Sequence, residues 1–245
     1  ATQPSTNATG RPSSNQTRSD SMGGCRVCGA GNNGVQMSVL ADGSLYWFEG
    51  SAASIIVLGA GTITTNRWYH IAFVRSSTST NGCALYIDGV SRGTGTSNLV
   101  HAGYTTYIGR NAAASQDFMK GYISNLRIVN GSAVYTGAFT PSASTLTAIT
   151  NTSILTCHSN QFKDSSTNNS AITLAGTPKV QASSPFSPSA AYTPSLHGGS
   201  AYLDGAGDYL TVGTFAPATN NFTFECWFYL TAWPAAGSQG VIFAT

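Results

Sequence analysis

Trp68-Tyr69-His70-Ile71-Ala72-Phe73-Val74-Arg75 alternates strictly, with Tyr69, Ile71 and Phe73 on one side and Trp68, His70, Ala72 and Val74 on the other. A period of two marks a strand that turns one face toward a core. The same pattern returns late in the chain. Phe222, Phe224, Cys226, Phe228 and Leu230 alternate with Thr223, Glu225, Trp227 and Tyr229. Shorter runs predict further strands at 35–40, 44–48, 54–58, 83–88, 104–109, 121–129, 153–157, 170–174, 201–204, 208–212 and 240–244. Asp42-Gly43, Asn81-Gly82 and Asp88-Gly89 lie between them and suit the positive φ of tight hairpins. No apolar set recurs at helical spacing beyond a turn or two, and about a dozen short strands with frequent turns predict an all-β sandwich or jelly roll.

Only 8% of the 245 residues are charged, against roughly 25% in average soluble proteins. Uncharged polar side chains supply the hydrophilicity, which suits an extracellular or virion surface exposed to changing salt. The net charge is +2 and the 11 Lys and Arg are scattered singly, whereas a phosphate-binding surface needs them clustered. Nucleic acid is therefore not an expected partner. No run approaches the ~18 apolar residues of a membrane helix, so no membrane partner is expected either. Residues 1–20 lack the apolar centre of a secretion signal, and Ala1 is no start methionine. The chain therefore reads as a processed product or a segment of something longer. The five cysteines are Cys25, Cys28, Cys83, Cys157 and Cys226, an odd count that leaves at least one free or paired between chains. Cys25-x-x-Cys28 lacks the second pair of a tetrahedral zinc site and is read as a local disulfide or two free thiols.

Several runs resemble laminin-G-like domains, members of the concanavalin A-like sandwiches. Asn66 to Arg75 resembles the family's W-x-H-I-A strand, and Leu85-Tyr86-Ile87-Asp88-Gly89 its LYIDG hairpin. Tyr107-Ile108-Gly109-Arg110 and Gly121 to Ile128 resemble the strands that close the sandwich. Asp164-Ser165-Ser166-Thr167-Asn168 resembles a turn that precedes the family's opening strands. Tyr202 to Leu210 and Phe222 to Phe228 resemble those opening strands. The resemblance implies an antiparallel sandwich of the tandem-repeat type seen in phage and bacterial surface proteins, with its halves in permuted order. Residues 1–24 read as a polar N-terminal loop or linker and 25–150 as the closing half. Residues 151–200, with four prolines from Pro178 to Pro194, read as a connector with short strands, and 201–245 as the opening half.

A sandwich divided this way is either closed by its own chain or completed by a neighbouring subunit. Completion by neighbours makes every copy both donor and acceptor, and a contact of that kind propagates into a fibre. The expected function is therefore a non-catalytic repeat unit of an extracellular or virion fibre, a head-to-tail homopolymer joined by strand complementation. The donated residues would be Phe222, Phe224, Trp227, Phe228, Val241, Ile242 and Phe243. The acceptors would be Trp68, Tyr69, Ile71, Phe73, Ile123, Leu126 and Ile128. The alternative is a closed glycan-binding lectin or adhesin domain of a phage tail or cell surface, with surface polysaccharide as partner and Trp233 and Tyr104 as candidate sugar contacts.

Catalytic chemistry finds little support. Glycoside hydrolysis needs two carboxylates flanking the scissile bond, and Glu49 and Glu225 are the only glutamates. Glu225 reads as a polar-face residue of its strand, and the four histidines as structural. Gly29-Ala30-Gly31-Asn32-Asn33-Gly34 precedes a strand rather than opening a helix, so it reads as a loop and not a dinucleotide site. Calcium is the candidate ion, at Asp204 and Asp208, against the simpler reading that both bond to turn amides. No other cofactor is expected. Six Asn-x-Ser/Thr triplets occur, as expected in a chain this rich in those residues, and they identify no host.

Overall fold

Fifteen strands form among the described residues of the computed structural model, which are 34–50, 53–101, 103–112, 117–186, 193, 197–216 and 221–245. The polar segment 1–24, Cys25, Cys28 and most of the loop 29–34 lie outside them. The strands are β1 Val35–Leu40, β2 Leu45–Glu49, β3 Ala53–Leu58, β4 Trp68–Arg75 and β5 Cys83–Ile87. Then follow β6 Val90–Gly95, β7 Tyr104–Ile108, β8 Lys120–Asn130, β9 Thr152–Thr156 and β10 Ile172–Ala175. The last five are β11 Lys179–Gln181, β12 Ser200–Asp204, β13 Tyr209–Phe215, β14 Phe222–Leu230 and β15 Gln239–Ala244. Two antiparallel sheets result. The first runs β10-β13-β7-β15-β1-β2-β3 and the second β11-β12-β8-β14-β4-β5-β6, with β9 also on β8.

The alternation read from β4 and β14 sets the layers. Tyr69, Ile71, Phe73, Phe222, Phe224, Cys226 and Phe228 all enter one core together with Trp47 of β2 and Phe243 of β15. Trp47 stacks on Phe73 with ring centroids 3.7 Å apart, and Phe224 meets Phe243 at 4.6 Å. Both pairs join one sheet to the other, so these rings fill the interlayer space.

In the single chain the late strands pair with its own earlier ones. β14 pairs with β4 on one side, Phe224 opposite Phe73, and with β8 on the other, Phe224 opposite Ile128. β15 pairs with β1 and with β7, where Phe243 lies opposite Ile108. The two late strands thus occupy central positions, one in each sheet, with both of their ladder edges filled. Val241, Ile242 and Phe243 accordingly sit in the sheet opposite Trp68–Arg75 and Gly121 to Ile128, and only β14 joins those expected acceptors.

β6 and β11 depart from the predicted strands. β6 is polar and glycine-rich, with no alternation to detect. It forms an edge where bare backbone is useful: a Cβ at Gly95 would stand 2.4 Å from the Ile55 carbonyl oxygen of β3, across the rim of the sandwich. β11 lies in the proline-bearing stretch and adds an edge to β12, where prolines outside its three residues cost no ladder bond. Among the turns, Asp88 (φ 51°) and Gly89 (φ 79°) are both left-handed. At Asp42-Gly43 only Gly43 adopts that conformation, and at Asn81-Gly82 only Asn81 does.

Cys83, Cys157 and Cys226 are free and buried. Burial pushes the Cys83 and Cys157 thiols up to about 12 and Cys226 well above its ordinary value. They act as apolar core groups rather than nucleophiles.

Two outcomes test this packing. Phe224→Ala, at a fully buried ring, should cost about 3–5 kcal/mol in chemical denaturation. A chain ending at Asn151 keeps β1–β8 but loses the central strands of both sheets, and should show no cooperative thermal transition by circular dichroism.

Candidate functional site

The outer face of the second sheet carries the side chains that alternate away from the core, and it divides in two. One part is covered by residues 131–149, which run from the end of β8 back across the sheet. Polar side chains pointing outward hold this strap. The Val134 amide donates to Thr223 Oγ1 (2.8 Å), and the Leu146 amide to Asn125 Oδ1 (2.7 Å). Arg127 donates to the Thr147 carbonyl (2.9 Å). Phe139 packs on Tyr86 and stacks on Tyr135 at 3.6 Å. The Phe139 amide also bonds to the Gly89 carbonyl (3.0 Å). Only glycine fits at position 89, because its φ is positive and a Cβ would lie 1.8 Å from the Phe139 oxygen.

Glu225 is at the centre of this covered part and is fully buried. Its Oε1 accepts from Arg127 Nη2 (2.6 Å) and Nε (2.8 Å). Its Oε2 accepts from the Tyr135 hydroxyl (2.7 Å) and meets His70 Nε2 at 3.2 Å. Burial alone would raise the Glu225 pKa. The His70 hydrogen bond, the Arg127 charge and the Tyr135 hydroxyl outweigh it and hold the carboxyl below the ordinary glutamate value. Glu49 repeats the arrangement at the end of β2. Trp47 Nε1 donates to its Oε1 (3.0 Å), and Ser97, Arg75 and His101 converge on its Oε2. Its pKa is likewise lowered, since the bonds from His101 and Ser97 overcome burial. A glycosidase acid needs a raised pKa and access to substrate. These carboxylates have neither, and they lock the strap and the sheet end in place.

Asp204 and Asp208 both bond to backbone amides. Asp208 accepts from the Thr177 amide through Oδ1 (2.5 Å) and from the Asp204 amide through Oδ2 (3.2 Å), while Asp204 accepts from the Ala206 amide (2.7 Å). Both carboxylates cap turns, the simpler of the two sequence readings. Among the described residues no three His, Cys, Asp or Glu side chains gather into a metal-binding group.

The uncovered part of the face is aromatic. Tyr202 of β12 is in register with Tyr122 of β8, Tyr122 with Tyr229 of β14, and Tyr229 with Trp68 of β4. Four adjacent strands therefore present one unbroken row of rings, all partly exposed. Successive centroids are 5.0, 5.8 and 5.6 Å apart. Trp68 also approaches Tyr122, at 6.2 Å, so the rings bunch at that end and the two end centroids are no more than about 11 Å apart. A depression of ≈ 600 Å³ adjoins its Trp68 end, lined also by Pro141, Phe186 and Trp227. Trp227 Nε1 itself is buried and, among the described residues, has no hydrogen-bond partner. A second depression of ≈ 430 Å³ adjoins the other end, beside Tyr122 and Tyr202.

The sugar contacts expected from sequence lie elsewhere. Trp233 is 38% exposed in the turn after β14 and lines neither depression. Tyr104 has the parity of inward-facing Thr106 and Ile108 and stands opposite Phe215. None of the four is an expected sugar contact, and Trp68 alone is singled out in sequence, as an acceptor-strand residue. A legible sign does exist, because each of the four rings precedes or follows a core residue (Tyr69, Ile123, Leu203, Phe228) and so must face outward. The register that aligns them is not visible in any single strand.

Residues 10–155 match the Laminin_G_3 family, described as the concanavalin A-like lectin/glucanases superfamily. The chain belongs to that family. No curated protein and no solved structure matches it. In this laminin-G-like domain the matched range covers β1–β8 and most of β9, whereas β10–β15 lie beyond it and complete the same two sheets. The sandwich expected from the permuted motifs is thus present. The concanavalin A-like description spans lectins and glucanases alike, and the two buried, salt-bridged glutamates weigh against the second.

Glu225→Gln should destabilise the domain by about 3–5 kcal/mol at neutral pH, because Arg127 is left buried without its counter-charge. Since the folded-state pKa is the lower one, this contribution is complete above the unfolded value near ~4.3 and is lost as pH falls through the folded one. Urea unfolding at stepped pH should therefore show the gap between wild type and variant closing below about pH 4.

Proposed function

We propose that this domain is a non-catalytic carbohydrate-binding module whose contact surface is the row Tyr202-Tyr122-Tyr229-Trp68. The single observation that carries the reading is the register of these four rings across four neighbouring strands. Aromatic faces stack on the apolar faces of sugar rings, and a ring cluster no more than about 11 Å long between its end centroids suits about two pyranoses. The strands fix the rings before any ligand arrives, so little ordering is required on binding. The adjoining depression, lined by Trp227 beside Pro141 and Phe186, extends the apolar contact surface. An extracellular or virion surface is the setting we propose, in keeping with a surface that is polar but has few charges.

The head-to-tail fibre has a separate support. β14 and β15 are the central strands of the two sheets, and with β12 and β13 they follow the four prolines from Pro178 to Pro194, so exchange of that half between copies can form the same registers. Light scattering of the purified chain distinguishes the two: strand exchange gives a ladder of oligomers, and the closed module a single monomer mass.

Glycan-array binding tests the main reading. The wild type should bind at least one polysaccharide class, and Trp68→Ala or Tyr229→Ala should each weaken binding by about tenfold, with the thermal midpoint little changed. Binding undisturbed by loss of these rings would refute it.

A further inference from the structure

We propose that the Tyr202 end of the row is a subsite for an acidic sugar, with Lys120 and Lys179 receiving a uronate carboxylate or a sulfate ester. The inference rests on the glycan-binding reading and narrows its ligand class.

The chain has three lysines, Lys120, Lys163 and Lys179. Two of them line the same ≈ 430 Å³ depression, together with Tyr122, Tyr202, Gln181 and Thr231. Lys179 lies in register with Tyr202, so it continues the aromatic row by one strand. Lys120 precedes Tyr122 by two residues on β8 and shares its face. Both lysines are exposed, and neither takes part in an ion pair among the described residues. Among the described residues no carboxylate lines the depression. The nearest in register, Asp204 opposite Lys120, accepts the Ala206 amide instead.

The opposite end of the row differs. Arg67, which lines the Trp68 depression, is neutralised by Asp88 at 2.6 Å and lies over the Tyr69 ring. The two depressions therefore differ: two lysines outside any ion pair among the described residues line one, and the closed Arg67–Asp88 pair lines the other. In a chain with 8% charged residues this pairing of lysines stands out. Two ammonium groups beside a stacking ring match an anionic pyranose: the ring holds the sugar, Gln181 and Thr231 offer hydrogen bonds to hydroxyls, and the lysines meet the charge. Nucleic acid would need cations along the whole row, and among the described residues the one cation lining the Trp68 depression, Arg67, is paired with Asp88.

The test uses the full chain in affinity electrophoresis through gels holding matched polymers. These are polygalacturonate and its fully methyl-esterified form, and a sulfated galactan and its desulfated form. The neutral-glycan array described above is run beside them. The expected result is retention by a charged member over its neutral match, weakened by added salt and reduced about tenfold in the double variant Lys120→Gln/Lys179→Gln. Preference for the uronate, for the sulfate ester, or for both identifies which anion is read. The thermal midpoint of the double variant serves as the folding control, and exposed lysines leave it unmoved. Equal retention on charged and neutral members, or undiminished retention of the variant, overturns the acidic subsite and leaves the glycan-binding face standing. No retention on any gel together with a blank array overturns both.

Discussion

Everything in this molecule depends on two strands arriving late in the chain and inserting at the middle of each sheet. β14 separates β4 from β8, and β15 separates β1 from β7. Phe224 of one faces Phe243 of the other across the core. Until they insert, β4, β8, β1 and β7 each have an unfilled ladder edge, and the stacked Trp47–Phe73 pair lacks the Phe222 and Phe224 rings beside it. Closure of so large a loop has an entropic cost that grows only slowly with length, whereas the burial gained on insertion is large. A topology dominated by such distant pairings folds slowly, and its open precursor offers strand edges to other copies. The closed domain and strand exchange are therefore two solutions to one constraint.

The buried carboxylates belong to the same account. Removing a glutamate from water is costly, and the cost is recovered only where several donors converge with good geometry. Glu225 has Arg127, Tyr135 and His70, and Glu49 has Arg75, Ser97, His101 and Trp47. In each cluster the donors come from distinct segments, so the charge specifies how those segments meet. The strap over β4, β14 and β8 is fixed by Glu225 and Thr223 beneath it, and Gly89 opens the space for its backbone.

Strand positions were legible wherever alternation was strong. β1, β4 and β14 coincide with the expected limits, and most of the others differ by a residue or two. The edges were not legible. β6 has no apolar phase, and β11 is three residues among prolines. The face to which Glu225 belongs could be read from its neighbours, but its complete burial could not, because the covering segment comes from elsewhere in the chain. The aromatic row was invisible for a related reason. Each ring's outward direction is a local fact, whereas alignment depends on three separate registers, and a slip of one residue in any strand would send its ring to the core side.

That last dependence argues that the row is a product of the fold rather than an accident of composition. Outward positions on a mostly polar sheet face need no large apolar side chains, and exposing four adjacent aromatics invites association. The rest of this face is either covered by the strap or polar, and the rings fall in the uncovered strip, between two depressions and ending at a lysine. The strands that carry them are among the most firmly held in the molecule, because β8 and β14 are bonded on both sides. A contact surface built there keeps its geometry without a ligand to organise it, which is the condition under which weak stacking contacts add up to useful affinity.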